Sequence, residues 1–152
     1  MADDTKKLTV TRTINAPAAE IYDLLTNPHR HSETDASGMV RSLDQGDRLA
    51  EVGQVFRINM HHPDMGDYQM DNTVSGLQEN KLVAWKPANP GEEPYGLEWA
   101  WSLESTDASR TEVTLTYDWS SVTDPKYTPM LPAFDTDLLE GSLATVAAAV
   151  EG

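Results

Sequence analysis

The sequence predicts an α+β fold in which a curved antiparallel sheet of about seven strands wraps around one long C-terminal helix. Two segments, residues 97–105 and 111–121, alternate apolar and polar side chains with period two, which is typical of a sheet with one buried face. Residues 128–152 carry apolar side chains at helical spacing. A long amphipathic helix that follows a one-sided sheet is expected to pack across the apolar face of that sheet.

The first predicted elements are one strand and two short helices. The strand is "KLTVTRTIN", residues 7–15, and its inward face carries Leu8, Val10, Arg12 and Ile14. A helix is predicted in "APAAEIYDLLTNP", because Pro17 suits a first helical turn and an apolar stripe follows it. The Asn-Pro pair at its end stops this helix. A second short helix is predicted in "HRHSETDAS", with Gly38 as its left-handed cap.

Six further strands are predicted between residues 39 and 121. They are "MVRSLD", "VFRINM", "DYQMDNTVSGLQ", "KLVAWKP", "LEWAWSLES" and "TEVTLTYDWSS", with "HHPDMG" and "ANPGEEPYG" as loops. The last two strands alternate without interruption, so one face is predicted to hold Leu97, Trp99, Trp101, Leu103, Val113, Leu115, Tyr117 and Trp119.

The C-terminal helix is predicted from "TPMLPAFDTDLLEGSLATVAAAVEG". Its apolar positions are Phe134, Leu138, Leu139, Leu143, Val146 and Val150. Asp135 and Asp137 lie in the early turns, where the helix dipole favours acids. Gly141 in the middle of a helix costs about 1 kcal/mol relative to alanine, which indicates a need for room beside it.

Length and composition favour one domain over residues 1–152 and a cytoplasmic protein. The chain has 152 residues, no internal repeat and no linker. No apolar run approaches the roughly 20 residues that span a bilayer, and the N-terminus lacks the apolar core of a secretory signal. The sequence contains no cysteine, which excludes disulfides and thiolate chemistry.

The net charge of −14 argues against a nucleic-acid partner. Phosphate binding needs clustered cations, and the eleven lysines and arginines are scattered along this acidic chain. Membrane insertion is not expected either, and acidity gives only weak support to a neutral or cationic ligand. The expected oligomeric state is monomer or homodimer.

The opening stretch "TVTRTINAPAAEIYDLLTNP" resembles the signature of the START/SRPBCC superfamily, the polyketide cyclase/dehydrase and lipid-transport group. The segments "HRHSETDASGMVR", "YQMDNTVSGLQENKLVAWK" and "TEVTLTYDW" are similar to small single-domain actinobacterial members. The resemblance covers nearly the whole chain. It implies a START-like helix-grip fold with a cavity for an apolar or aromatic ligand between sheet and C-terminal helix. It does not imply one reaction.

A cavity is therefore expected to bind a small hydrophobic or aromatic molecule that is lipid- or polyketide-like. Mostly apolar walls with a few polar groups are typical of such pockets, although an aromatic stripe can also simply fill a core. The second possible function is a cyclase or aromatase activity that acts by substrate positioning and acid–base effects. The third is a protein-interaction module whose cavity is filled. The predicted ligand-binding residues are Arg12, Phe56, Ile58, Met60, Tyr68, Met70, Asn72, Trp85, Trp99, Trp101, Tyr117, Trp119, Phe134, Leu138 and Ser142.

His31 and Asp35 are the candidate catalytic pair. Residues four apart are neighbours on a helix, and a carboxylate beside an imidazole would orient it as a general base. A surface pair of no catalytic consequence is the alternative. Arg12, on a predicted buried face, is expected to pair with a ligand oxygen or, more readily, with a protein carboxylate.

No metal and no other cofactor is expected. His29, His31, His61 and His62 are not spaced as a known ligand set, and adjacent histidines on a strand point to opposite faces. No activated serine motif and no glycine-rich phosphate loop occurs in the sequence.

Overall fold

The computed structural model describes residues 6–151 and confirms the predicted α+β helix-grip fold. Seven strands form one antiparallel sheet in the order β1-β7-β6-β5-β4-β3-β2. The strands are β1 (Lys7–Ile14), β2 (Val40–Gln45), β3 (Val55–His62), β4 (Gly66–Gln78), β5 (Leu82–Ala88), β6 (Glu98–Asp107) and β7 (Arg110–Asp118). The helices are α1 (Ala18–Leu25) and α2 (Thr136–Glu151), with 3₁₀ helices at Pro28–Thr34 and Thr128–Met130.

Strand register places the predicted apolar residues on one face of the sheet, which is called the inward face below. Trp99 of β6 pairs with Tyr117 of β7 and Trp85 of β5, so the three side chains share this face. The same face continues through β4 and β3, where Met70 pairs with Ile58. Its fully buried members include Phe56, Val74, Val83, Val113, Leu115 and Tyr117.

Helix α2 packs against the inward face of the sheet. It contacts mainly β1, with the 3₁₀ helix 28–34, α1 and β7 as further neighbours. Its buried residues are Leu139, Ser142, Leu143, Val146 and Ala147. Asp135 is the N-cap, because its carboxylate accepts a hydrogen bond from the Leu138 N–H at 3.0 Å. The helix thus begins at Thr136, and the prediction that Phe134 lies on it is wrong.

Helix α1 follows the prediction closely, whereas the second short helix differs. Ile21, Leu24 and Leu25 are fully buried on one side of α1. The second helix is a 3₁₀ helix that ends at Thr34, and Asn27 caps its start by accepting from the His29 N–H at 3.2 Å. Gly38 does have a positive φ of 75°, but it lies beyond the helix end and is not its cap.

The structure gives Gly141 a different role from the one predicted. A Cβ on this residue would lie 3.1 Å from the Cβ of Ala36, so the glycine permits close packing of α2 on the segment after the 3₁₀ helix. Beside it, the Ser142 hydroxyl accepts a hydrogen bond from the Ala36 N–H at 3.2 Å. The space beside Gly141 is filled by the chain itself rather than by a cavity.

Within residues 6–151, no helix combines the length and the apolar character that crossing a membrane requires.

Alanine substitutions at Gly96 and Gly91 form a matched pair that tests how closely the segment after β7 packs against Gly96. Both have positive φ, 112° and 80°, so alanine is strained at each by about 1 kcal/mol. A Cβ at Gly91 meets nothing within 4 Å, whereas one at Gly96 would lie 2.6 Å from the Ser121 carbonyl oxygen. We expect Gly96→Ala to lower the free energy of unfolding in urea by about 2 kcal/mol more than Gly91→Ala, because forcing extra atoms into a packed region costs about this much. Equal losses would contradict this seating of Ser121.

Candidate functional site

The predicted ligand-binding residues divide into a packed set and a partly accessible set. Phe56, Ile58, Trp101 and Tyr117 are buried within the core. Asn72 and Ser142 are buried polar residues, each 7% exposed. The partly exposed members are Met60, Tyr68, Met70, Trp85, Trp99, Trp119, Phe134 and Leu138. Much of the predicted lining is therefore core, and any ligand would contact the partly exposed rings and thioethers.

Two aromatic groups flank the β5–β6 pair on the inward face. In the first, Trp85 stacks on His31 with ring centroids 4.9 Å apart, and Phe56 packs edge-on against both. In the second, Trp99 stacks on Tyr117 at 4.4 Å, and Phe134 packs against both at 5.8 Å. The Cα atoms of Trp85 and Trp99 are paired across the strands, yet their rings turn toward different groups. Both groups therefore belong to the aromatic surface of the inward face.

The segment between β7 and α2 covers one end of this surface. Tyr127 stacks on Tyr95 with ring centroids 4.1 Å apart. The Tyr127 hydroxyl also accepts a hydrogen bond from the Asn89 amide at 3.3 Å. Near the start of α2, the Ala133 N–H donates to the Tyr117 hydroxyl at 3.1 Å. Tyr95 and Tyr127 lie in irregular segments without periodicity, so sequence reasoning missed both.

We name Tyr68, Trp85, Tyr95, Trp99, Tyr117 and Phe134 the aromatic cleft. Burial raises the pKa of the Tyr95 phenol to about 12, and the neighbouring Tyr117, Tyr127 and Tyr68 phenols add to this effect. Burial likewise raises the pKa of Tyr117. The pKa of Tyr68 is also raised, mainly by burial and to a smaller extent by the Asp35 carboxylate. The phenols of the cleft are therefore neutral at physiological pH and can donate hydrogen bonds.

An open groove of about 1200 Å³ adjoins the aromatic cleft beside the β3–β4 hairpin. Its wall includes Met60 and Tyr68 of the inward face and Asn89, whose amide reaches Tyr127. The rest of the wall is more polar and consists of Arg41, Asn59, His61, Met65, Asp67, Gln69, Pro90 and Glu92. The groove gives a solvent-open approach to the cleft at Tyr68.

His31 is a core residue in this structure. It is 4% exposed, and its Nε2 donates to the Leu25 carbonyl oxygen at 2.7 Å, which assigns the ring proton to that nitrogen. Burial lowers the pKa of His31 to about 4, although the hydrogen bond to Leu25 acts in the opposite direction. The imidazole is therefore neutral at pH 7, and its role is to fill the space between Phe56 and Trp85.

Asp35 does not pair with His31, so the predicted pairing is wrong. A 3₁₀ helix has three residues per turn, which separates residues four apart, and Asp35 already has extended backbone. Its carboxylate instead accepts hydrogen bonds from the Ser37 hydroxyl at 2.7 Å and the Val40 N–H at 3.1 Å. These contacts fix the turn that leads into β2.

Arg12 lies on the inward side of β1, which is an edge strand of the sheet, but its side chain is exposed. The buried residues of this strand are Val10 and Ile14. Among the described residues Arg12 forms no ion pair with a carboxylate, and its pairing with a ligand oxygen or a protein carboxylate stays a prediction.

The two histidines at the end of β3 have local partners. His61 Nδ1 lies 2.8 Å from Asp67, and His62 Nδ1 accepts from the Asp64 N–H at 3.0 Å. Both histidines belong to β3 rather than to the predicted loop. Across residues 6–151, no group of three or more histidine, aspartate or glutamate side chains is arranged to hold a metal ion.

Comparison with known sequences matches the family described as "Activator of Hsp90 ATPase homolog 1-like protein" over residues 15–130. "Uncharacterized protein Rv0088" of Mycobacterium tuberculosis is 34% identical over 106 residues, which are 70% of this chain and 44% of that protein. The chain thus spans less than half the length of the curated relatives that it matches.

Comparison with solved structures finds the same fold in proteins of low sequence identity. Protein Ms6760 from Mycobacterium smegmatis has a TM-score of 0.71 at 16% identity, with 96% of this chain and 91% of that chain covered. The ZhuI aromatase/cyclase from Streptomyces sp. R1128 has 0.68 at 17%, with 95% and 93% covered. The Aha1 dimer from Colwellia psychrerythraea has 0.65 at 21%, with 95% and 96% covered.

The pH dependence of stability tests the burial of His31. The His31 side chain binds a proton near pH 6.5 in the unfolded state but only near pH 4 in the folded state. Its contribution to the free energy of unfolding is therefore fully present above pH 6.5 and is lost as the pH falls from 6.5 to 4. The loss reaches about 3 kcal/mol. We expect His31→Gln, which keeps a donor for Leu25, to remove this part of the pH dependence in urea unfolding between pH 7 and 4. The exposed His29→Gln variant is the control, and an unchanged pH profile in His31→Gln would refute the assignment.

Proposed function

The chain belongs to the family of Activator of Hsp90 ATPase homolog 1-like proteins, within the START/SRPBCC superfamily, and from this premise we propose that it binds a small hydrophobic or aromatic molecule at the aromatic cleft. The fold is a ligand-binding fold, and the identity of the ligand belongs to the proposal. Accessible stacked rings carry the argument: Trp99 is packed on Tyr117 and Phe134 yet remains partly exposed on the inward face. A planar apolar molecule would complete this stack.

The arrangement of the cleft supports binding on two further grounds. The groove beside Tyr68 is open to solvent and large enough, at about 1200 Å³, for a molecule of several rings. Its wall contains both polar rim residues and the apolar Met60, which suits entry of an amphipathic molecule. A lipid- or polyketide-like ligand fits these walls, and a carrier or sensor role follows from binding without chemistry.

The geometry of the predicted catalytic pair weighs against an acid–base enzyme. A general base must lie within reach of the proton that it abstracts. His31 is enclosed by Phe56 and Trp85, and the Asp35 carboxylate serves Ser37 and Val40. Binding alone is therefore the better-supported function, and a cyclase acting here would have to work by positioning its substrate with neutral phenols.

Binding is tested with a small panel of uncharged probes. We expect 2-acetonaphthone, 9,10-anthraquinone or a long-chain alcohol to quench or shift tryptophan fluorescence and to raise Tm by several degrees. A ligand at one hundred times its Kd adds about 2.7 kcal/mol to the free energy of unfolding. Trp99→Leu should weaken binding at least ten-fold, while Val52→Ala, at an exposed apolar side chain outside the cleft, should leave it unchanged. No response to any probe would refute the proposal.

Two further variants separate binding from catalysis. Binding alone predicts that ligand-induced stabilisation survives His31→Gln and Asp35→Asn, because neither side chain belongs to the cleft wall. An enzyme that used them would lose turnover of its substrate while binding persisted. Turnover of a polyketide-type substrate that disappears in these variants would favour the cyclase.

A further inference from the structure

The groove beside the β3–β4 hairpin also contains side chains that point away from the aromatic cleft. The strand register pairs His61 of β3 directly with Asp67 of β4. The adjacent pair along these strands, Met60 and Tyr68, belongs to the inward face, and successive residues of a strand point to opposite faces. His61 and Asp67 therefore lie on the outward face of the sheet, and both line the groove.

His61 and Asp67 form an oriented pair of an imidazole and a carboxylate. The His61 Nδ1 lies 2.8 Å from the Asp67 carboxylate, which can only accept, so the ring proton lies on Nδ1 and the lone pair on Nε2. The His61 side chain is 38% exposed. Asp67 is exposed as well, so the strand register rather than burial keeps the two groups together. An accessible Nε2 lone pair opposite an anchored Nδ1–H is the arrangement of a general base.

None of the other three histidines, all of which lie within residues 6–151, has this arrangement. The Nε2 of His31 donates to a carbonyl oxygen in the core. The Nδ1 of His62 accepts from the Asp64 N–H, which leaves the ring proton of the neutral imidazole on Nε2. The His29 ring forms no ion pair with a carboxylate among the described residues. His61 is thus the one histidine whose free nitrogen is fixed as an acceptor and faces solvent.

Arg41 brings a positive charge to the same groove. The His61 N–H donates to the Met39 carbonyl oxygen at 2.8 Å, which places the chain just before β2 beside His61. Arg41 follows two residues later, is exposed and lines the groove. Among the described residues it forms no ion pair with a carboxylate. Its guanidinium can therefore donate to an oxygen that gains negative charge during a reaction.

The groove offers this base water rather than a side-chain nucleophile. The sequence has no cysteine. The Ser42 hydroxyl, on the neighbouring strand β2, contacts the Asn59 amide at 3.0 Å instead of the His61 ring. A general base without a side-chain nucleophile acts on water, and it cleaves most readily those esters whose leaving group is a weakly basic phenolate. The net charge of −14 disfavours anionic esters.

We propose that the His61–Asp67 pair hydrolyses neutral aryl esters in the groove, an activity separate from ligand binding at the aromatic cleft. His61 Nε2 removes a proton from water while the water oxygen bonds to the ester carbonyl carbon, and the carbonyl electrons move onto the oxygen held by Arg41. When this tetrahedral intermediate collapses, the carbonyl re-forms, the bond to the aryl oxygen breaks, and the Nε2 proton passes to the departing phenolate. The products are a carboxylic acid and a phenol. Asp67 acts through His61 and is a positioning residue.

Hydrolysis of 4-nitrophenyl acetate by the full chain tests the activity. We expect His61→Gln to lower kcat/KM about one hundred-fold, the low end of what a positioned base contributes. Arg41→Gln should lower kcat about ten-fold with KM nearly constant, because the charge acts on the transition state.

The matched control is His62→Gln, which removes the neighbouring ring on the opposite face of β3 and should leave the rate unchanged. Equal rates in His61→Gln and the unmodified protein would overturn the proposal. Equal losses in the two histidine variants would overturn it as well, because they would show hydrolysis by any surface imidazole.

The ring tautomer of His61 tests the role of Asp67 independently of the rate. Two-bond ¹H–¹⁵N NMR spectra at pH 8 should show the His61 proton on Nδ1 in the unmodified protein. In Asp67→Ala it should move to Nε2, the tautomer that an imidazole without a partner favours, and kcat should fall about five-fold. Asp67→Glu keeps a carboxylate and should restore part of both. An Nε2–H tautomer in the unmodified protein would overturn the proposed pair.

Discussion

The burial of one face of the sheet is the constraint on which the remaining structure depends. Alternation with period two places the apolar side chains of β3 to β7 on the inward face, and that face must be kept from water. Helix α2 covers it from the side of β1, its main strand neighbour. Helix α1 and the 3₁₀ helix 28–34 cover the middle with Ile21, Leu24 and His31. The inward residues of the β3–β4 hairpin lie beyond these helices, so Met60, Tyr68 and Met70 remain partly exposed.

This incomplete cover explains why the aromatic cleft lies where it does. Rings have large apolar faces, so a partly covered sheet that is rich in them keeps accessible surface even when the rings stack on one another. The segment between β7 and α2 closes one end through Tyr127 on Tyr95 and Phe134 on Trp99. Gly96 permits that segment to approach the sheet closely at Ser121. Of the six cleft residues, Tyr68 lines the open groove beside the β3–β4 hairpin.

The sequence predicted the elements with strong periodicity and missed those set by irregular packing. The alternation of apolar and polar residues predicted strands β6 and β7, and helical spacing predicted the buried stripe of α1. In each element the apolar side chains all face the same core. The sequence predicts a regular helix with His31 beside Asp35, but the segment is a 3₁₀ helix. The apolar residues of so short a segment do not distinguish a 3₁₀ helix from an α-helix. Arg12 fits the alternation of an inward face, yet the face ends at the edge strand β1, which only the strand order reveals. Tyr95 and Tyr127 meet through two loops, and nothing local in either loop indicates the contact.

The electrostatics of the molecule separate its surface from its interior. Among residues 6–151 no aspartate, glutamate, lysine or arginine is buried, whereas the aromatic cleft contains phenols, indoles and a phenyl ring, and its phenols are neutral at pH 7. A His–Asp pair in the cleft would supply a base, but here the imidazole is a core side chain bonded to Leu25 and the carboxylate fixes a turn. Residues that look catalytic in the sequence are therefore committed to holding the fold. What the fold leaves accessible on the inward face is a set of partly exposed rings and thioethers, which can pack against an apolar molecule but contain no general base.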